Sequence, residues 1–272
     1  MSDLSRMRKL ALPLLTFACV TLACHRQVAV GSPTTATARA TQITSADELL
    51  AAMHDRYAGK WYRNLTFAQK VTYFGPDGAP TREETWYEAG AMPGRLRIDL
   101  GEPSRGNGVV YRADSVYSVQ GGRVADRRAG RNPLLLLGFD VYAQPVERSL
   151  QQLRAERIDV NLLRTDTLYG TRMYVVGAGP TDLTSNQFWV EGDRMLFVRL
   201  IQTDTTRHAT RDIRFENYVQ RDGGWVSEKV RIIAGGKTVV QEEYSNVRVN
   251  VPLDDDIFVP EKWSTAAHWY KP

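Results

Sequence analysis

The sequence predicts a mainly β, α+β fold built on an antiparallel meander, and three observations predict it. Apolar and polar residues alternate with period two along much of the chain. The clearest case is "RLRIDL", where Leu96, Ile98 and Leu100 alternate with Arg95, Arg97 and Asp99, the pattern of a half-buried antiparallel strand. Turn residues separate the runs at Gly75-Pro76-Asp77-Gly78, Gly192-Asp193, Asp222-Gly223-Gly224 and Gly235-Gly236. Such glycine-containing turns suit tight hairpins because these need positive φ. Finally, two segments carry helical spacing instead, one ahead of the first strand and one in mid-chain.

At the front, Arg6, Arg8 and Lys9 stand against one acid, Asp3, before an uncharged stretch from Leu10 to Cys24. That stretch is shorter than the about 18 apolar residues of a membrane-spanning helix, and Pro13 interrupts it. A basic start, a short apolar core and small residues at its end read as an export signal. Thr21-Leu22-Ala23-Cys24 resembles the lipobox of bacterial lipoproteins, with Thr21 in place of the usual Leu or Val. The resemblance implies cleavage before Cys24, whose sulfur would carry a diacylglyceryl anchor. Phe17-Ala18-Cys19 fits less well, because bulky Phe17 stands close to the cut. The alternative is an ordinary secretory peptide cleaved near Ala23 or Ala29.

The chain has 2 cysteines. With Cys19 lost in the leader and Cys24 lipidated, none is left for a disulfide, although an exported compartment permits one. His25 rather than Asp follows the cysteine, which in such lipoproteins favours the outer membrane. From Arg26 to Ala40 the composition turns to Thr, Ala, Ser and Gly, too poor in large apolar residues to order itself. It suits a flexible tether. The expected division is residues 1–23 signal peptide, 24–43 lipidated N-terminus and tether, and 44–272 a single folded domain.

A domain of that size buries roughly 70% of its unfolded surface and needs no metal or disulfide to hold it. Net charge is +4, and the bases are scattered among acids, which argues against a nucleic-acid partner.

Ser45-Ala46-Asp47-Glu48 has the spacing of a capping box. Leu49, Leu50, Met53 and Tyr57 follow at helical spacing, with Gly59 placed to end the helix. Period two then takes over: Leu65, Phe67, Val71 and Tyr73 share one strand face. Short strands follow in "GVVYRADSVYSVQGGRVADRR", and the meander resumes after Thr171, for roughly ten strands in all. Between them "NPLLLLGFDVYAQPVERSLQQLRAER" is helical, with Leu134–Leu137 at its start and Pro145 opening a second helix whose Val146, Leu150 and Leu153 share a face. As a plain reading the insertion completes the core; as a functional one it covers an apolar cavity.

The order of export signal, capped helix, strands, helical insertion and strands resembles the fold shared by LolA, LolB and LppX, and outer membrane lipoprotein-sorting proteins in particular. "DTLYGTRMYVVGA" (166–178), "SNQFWVEGDRMLFVRLI" (185–201) and "EEYSNVRVNVPLDDDIFVPEKW" (242–263) carry the resemblance. It implies an unclosed antiparallel β-barrel, a half-barrel, whose open face is covered by the N-terminal helix and the insertion. It also implies a hydrophobic cavity that takes acyl chains of lipids or lipoproteins. Candidate lining residues are Phe67, Val71, Tyr73, Leu96, Ile98, Leu100, Val109, Tyr111, Leu134, Leu135, Leu136, Leu137 and Phe139, each of which fits packed core equally well. LolA is a soluble carrier, whereas a lipobox makes this chain membrane-tethered, closer to LolB or LppX. Leu134–Leu137 matches the character of the apolar loop that LolB uses in membrane insertion, though the spacing does not require that role.

Catalytic chemistry is not evident. His25, His54, His208 and His268 have no ligand-like spacing, and there is no G-x-S-x-G elbow or P-loop. Glu83-Glu84 and Glu242-Glu243 are neighbours on strands, so the members of each pair point to opposite faces. Asp254-Asp255-Asp256 reads as a solvated turn rather than a cation site. The reading is therefore a lipid-anchored envelope protein, not an enzyme, without cofactor or metal, that binds acyl chains non-covalently. The rival is an anchored structural or adaptor protein whose half-barrel is filled by its own side chains and which binds an envelope protein partner.

Overall fold

The computed structural model describes residues 42–207 and 209–270. The export signal, Cys24, the tether and His208 lie outside the described residues. Helix α1 (Ala46–Tyr57) leads into β1 (Asn64–Phe74), β2 (Pro80–Ala91), β3 (Arg95–Leu100), β4 (Gly108–Arg112), β5 (Ser115–Gln120) and β6 (Arg123–Ala129). The insertion follows as α2 (Pro133–Gly138), a 3-10 turn (Asp140–Tyr142) and α3 (Val146–Ala155). Then come β7 (Leu163–Leu168), β8 (Thr171–Val176), β9 (Gln187–Glu191), β10 (Leu196–Asp204), β11 (Ala209–Arg221), β12 (Gly224–Ala234) and β13 (Lys237–Val249).

All of them form one 13-stranded sheet in the order β6-β5-β4-β3-β2-β1-β13-β12-β11-β10-β9-β8-β7. The chain starts at the centre, steps outward to one edge, crosses to the other edge and steps back until β13 pairs antiparallel with β1. Edges β6 and β7 do not meet, so the barrel is unclosed, as expected. The insertion joins these two edges and packs its apolar side on one face, which we call the inner face. Thirteen strands replace the ten expected. The additional β7, "LRTDTL", is a polar edge run with too few apolar residues to signal a strand. Among the described residues no helix is long and apolar enough to cross a membrane.

Ser45 caps α1 as expected, its Oγ accepting from the Glu48 N–H at 3.2 Å. The return arm differs: the Glu48 carboxylate accepts from Thr44 N–H and Oγ1, at 2.6 and 2.9 Å, one residue further back than in a capping box. Leu49, Leu50, Met53 and Tyr57 are buried. Beyond the helix an aromatic cluster fastens it to the sheet. Tyr57 donates to the Arg194 carbonyl at 2.6 Å and Tyr62 to that of Trp225 at 3.1 Å. Trp61 stacks on Tyr142 with ring centroids 4.0 Å apart. The Tyr142 hydroxyl accepts from the Phe197 N–H at 3.0 Å and donates to the Met195 carbonyl at 3.2 Å.

In the insertion, Asn132 Oδ1 caps α2 by accepting from the Leu134 and Leu135 N–H groups. Leu150 and Leu153 of α3 are buried as their spacing predicts. Polar groups buried beside them bond to one another, Gln144 Nε2 donating to Ser149 Oγ at 3.0 Å and Gln152 Oε1 at 2.7 Å. Asp140 ties the insertion to the β2–β3 turn, accepting from the Gly94 N–H at 3.0 Å.

The outer face of β2–β5 is covered by the segment after β13. Ile257 and Phe258 pack on Ala89 and Ala91, and Trp263 on Val110 and Val119. This corrects the reading of β3 as half-buried, because Arg97 and Asp99 are as buried as the leucines on the other side. Their charges are matched in place. Arg97 Nε and Nη2 donate to the two Asp99 oxygens at 2.9 and 3.0 Å, and its guanidinium lies 3.6 Å from the Trp263 ring centre. His268 Nε2 approaches Asp99 at 3.5 Å. Removing one partner strands a buried charge, so Asp99→Ala is expected to destabilise the fold by about 3–5 kcal/mol in urea unfolding. Lys70→Ala, which breaks the exposed pair with Glu83, is expected to leave the unfolding midpoint in place.

Candidate functional site: the inner face

Side chains alternate across a strand, so strand register decides which residues share the inner face. Reading across β2, β1 and β13, that face carries Glu88 beside Phe67, then Trp86, Gln69 and Tyr244 in one row, then Glu84, Val71 and Glu242 in the next. Tyr73 follows, flanked by Arg82 and Val240. On the other side Leu96 pairs with Gly90 and Tyr111, Ile98 with Glu88 and Val109, and Leu100 with Trp86. All eight strand positions expected to line the cavity thus lie on one face, the face that the helices cover.

Their surroundings differ. Phe67, Leu96 and Ile98 belong to the main core together with Leu135, Leu136, Leu137 and Phe139; Leu100, Tyr111 and Leu134 pack partly buried against it. Phe67 stacks on Tyr244, ring centroids 4.2 Å apart. Val71 is buried, and Val109 is partly buried. Tyr73 ends the face in a polar clamp: its hydroxyl donates to Glu84 at 2.7 Å, and Arg82 lies over its ring at 3.9 Å. Leu136 and Leu137 are 1% and 0% exposed, so most of the leucine run faces the core instead of forming an exposed loop.

Between the helix-covered end and the Tyr73 clamp lies a polar band that sequence reading missed. Glu88 is 7% exposed, Glu242 9% and Gln69 1%. Burial pushes the Glu88 carboxyl well above the usual carboxylate range, and the charge of Glu242 adds to that; burial alone raises Glu242 to about 7. The Tyr244 hydroxyl is raised likewise, chiefly by burial. The separation of Glu83 from Glu84, and of Glu242 from Glu243, holds: Glu83 and Glu243 lie opposite Thr72 and Lys70, residues of the other face. Acids of different pairs nevertheless share a row of one face, since Glu84 and Glu242 flank Val71 from either side. The signal for Glu88 was its shared parity with Trp86 in "ETWYEAG", obscured because β2 is covered on both faces.

The outer face offers different chemistry. An open groove of ≈ 720 Å³ there is lined by residues that include Phe74, Asp77, Glu216, Lys229, Arg231 and Lys237, a set with charges of both signs. Arg199 and Arg214 grip Asp212 between β10 and β11, at 2.7 and 2.8 Å, and hold its carboxyl below the usual range against its burial. Among the described residues no group of His, Cys, Asp and Glu is arranged to hold a metal ion.

No protein-family profile matches the chain, and no curated protein matches it. Solved structures do. A DUF1329 family protein from Desulfovibrio piger superposes with a TM-score of 0.52 at 15% identity, over 78% of this chain and 95% of that one. A LolA superfamily protein from Nitrosomonas europaea gives a TM-score of 0.48 at 14% identity, over 79% and 98%. An outer membrane lipoprotein-sorting protein domain from Vibrio parahaemolyticus gives 0.44 at 12%, over 79% and 97%. The fold, an open antiparallel half-barrel with helices over its inner face, is similar to that of the Desulfovibrio protein.

The raised acid on β13 makes a prediction. A carboxyl with a folded value above its unfolded one binds its proton more tightly when folded. Its favourable contribution is therefore present at low pH and is lost as pH rises between the two values, here from about 4 to about 7. Glu242→Gln is expected to match the parent in stability near the lower value and to exceed it on the order of 2 kcal/mol above the upper one, measured by urea unfolding across pH.

Proposed function

We propose that the protein is a lipid-anchored envelope protein that holds an acyl chain of a lipid or lipoprotein on the inner face of its half-barrel. The observation that supports this reading is the convergence of the lining positions: every strand residue named for the cavity lies on the same side of one open sheet, and Phe67, Leu96 and Ile98 among them pack with the helical insertion. An alkyl chain taken up there leaves water at about 0.8 kcal/mol per buried methylene. The name of the Vibrio protein, a lipoprotein-sorting domain, agrees in direction with sorting at the outer membrane. The Thr21–Cys24 lipobox supplies the anchor, and residues 24–43 the tether.

A second reading is favoured by the burial of Leu135, Leu136 and Leu137: an anchored adaptor whose half-barrel is filled by its own side chains. Native mass spectrometry of the full chain, purified gently from its own envelope, separates the two. The carrier reading expects co-purifying lipid; an empty protein that also ignores fluorescent fatty acids supports the adaptor. Cys24→Ser is expected to release the protein from the membrane fraction or to block its maturation. A variant that stays attached and correctly cleaved refutes the lipobox.

A further inference from the structure

We infer that the inner face contains a subsite for a primary ammonium group, built from Glu88, Glu242 and Gln69, which receives the polar end of an amine-bearing alkyl or acyl ligand. The inference rests on the acyl-chain reading above and specifies what the chain carries.

Three adjacent strands supply the groups, in three successive rows of one face. β2 supplies Glu88, β13 supplies Glu242, and Gln69 of β1 lies in the row between them, flanked by Trp86 and Tyr244. All three side chains are more than nine-tenths buried. Among the described residues neither carboxylate accepts a hydrogen bond or pairs with a lysine or arginine, and the Gln69 amide has no partner either. The Trp86 indole N–H beside Gln69 is buried without an acceptor. The charged groups that share the face are engaged or remote: Arg82 is held by Glu84 and Tyr73, and Arg128 stands out on edge strand β6, exposed.

Buried polar groups in folded proteins are paired, because leaving them unpaired costs several kcal/mol for a charge. Two other buried sets in this molecule show such pairing. Arg97 with Asp99 and Gln144 with Gln152 are matched in their own buried settings. The acid band has no such pairing, and it lies among the residues named for the cavity. Ionised carboxylates are acceptors only, so their complement is a group rich in donors and positively charged; an ammonium brings three donors and one charge. Phe67 and Ile98 beside Glu88, with Val71 and Val230 beside Glu242, give the attached chain apolar walls. A carboxylate or phosphate end alone would meet like charge.

The test uses the full chain and three probes of one chain length, dodecylamine, dodecanol and dodecanoate, below their micellar concentrations in mildly alkaline buffer. Dodecylamine is expected to bind about tenfold tighter than dodecanol, as one charge-assisted contact provides, with dodecanoate weakest. Glu88→Gln and Glu242→Gln, singly and together, are expected to bring the amine down to the level of dodecanol. The parent comparison stands whether or not the variants fold. Lysophosphatidylethanolamine of the same chain length tells a phospholipid head from a simple amine by which binds tighter, and either order supports the subsite. Equal binding of amine and alcohol by the parent overturns the subsite and leaves the acyl-chain reading intact. Failure of all the probes to bind overturns both.

Discussion

The pairing of β1 with β13 holds the architecture together. Every other strand pair joins neighbours in the sequence; this one joins the two halves of the sheet, with Leu65 opposite Val249 and Tyr73 opposite Val240. A register shift between Thr66 and Ala68 marks where the seam adjusts. Because the seam runs through the middle, β6 and β7 are the two ends of the strand order. The connection between them has to pass over a face, and it does so as helices with an apolar underside. The same seam sets Glu242 of one half in the band that holds Glu88 of the other.

Coverage of the two faces is unequal, and it explains the local chemistry. The helices and their aromatic cluster fill one end of the inner face, while the segment after β13 covers the outer face of β2–β5. Where both sides of β3 are covered, its charged residues form a closed set, Arg97 with Asp99 beside Trp263. Where the outer side is open, across β10–β12, arginines pair with acids along the strands, as Arg199 does with Asp212 and Arg231 with Glu216.

Much of this was legible in the sequence, for identifiable reasons. Helix α1 announced itself by its cap and its apolar spacing, the insertion by its loss of period two, and the hairpins by their glycines. Strand parity placed Phe67, Val71, Leu96, Ile98 and Leu100 on one face without any knowledge of their neighbours. What parity cannot convey is which strands of different sequence regions pair, so the seam, and with it the meeting of Glu88, Gln69 and Glu242, could not be read. Nor could the burial of Arg97 and Asp99, since alternation with charged residues normally signals water on that side, and the covering segment comes more than a hundred residues later. The capping arm of Glu48 moved by one residue because Thr44, with both an N–H and a hydroxyl, offers two donors where Ser45 offers one.

The seam also sets an order of events during synthesis. β1 is made early and its partner last of the thirteen strands, so contacts between them span nearly the whole domain, the long-range pairing that slows folding. A nascent chain can form the β1–β6 half while β13 is still within the ribosome. In that interval β1 is an edge strand, with unpaired backbone groups along its free side, which is the form most open to mispairing with another chain. The half-barrel is thus a structure whose central strand spends its early life at the margin.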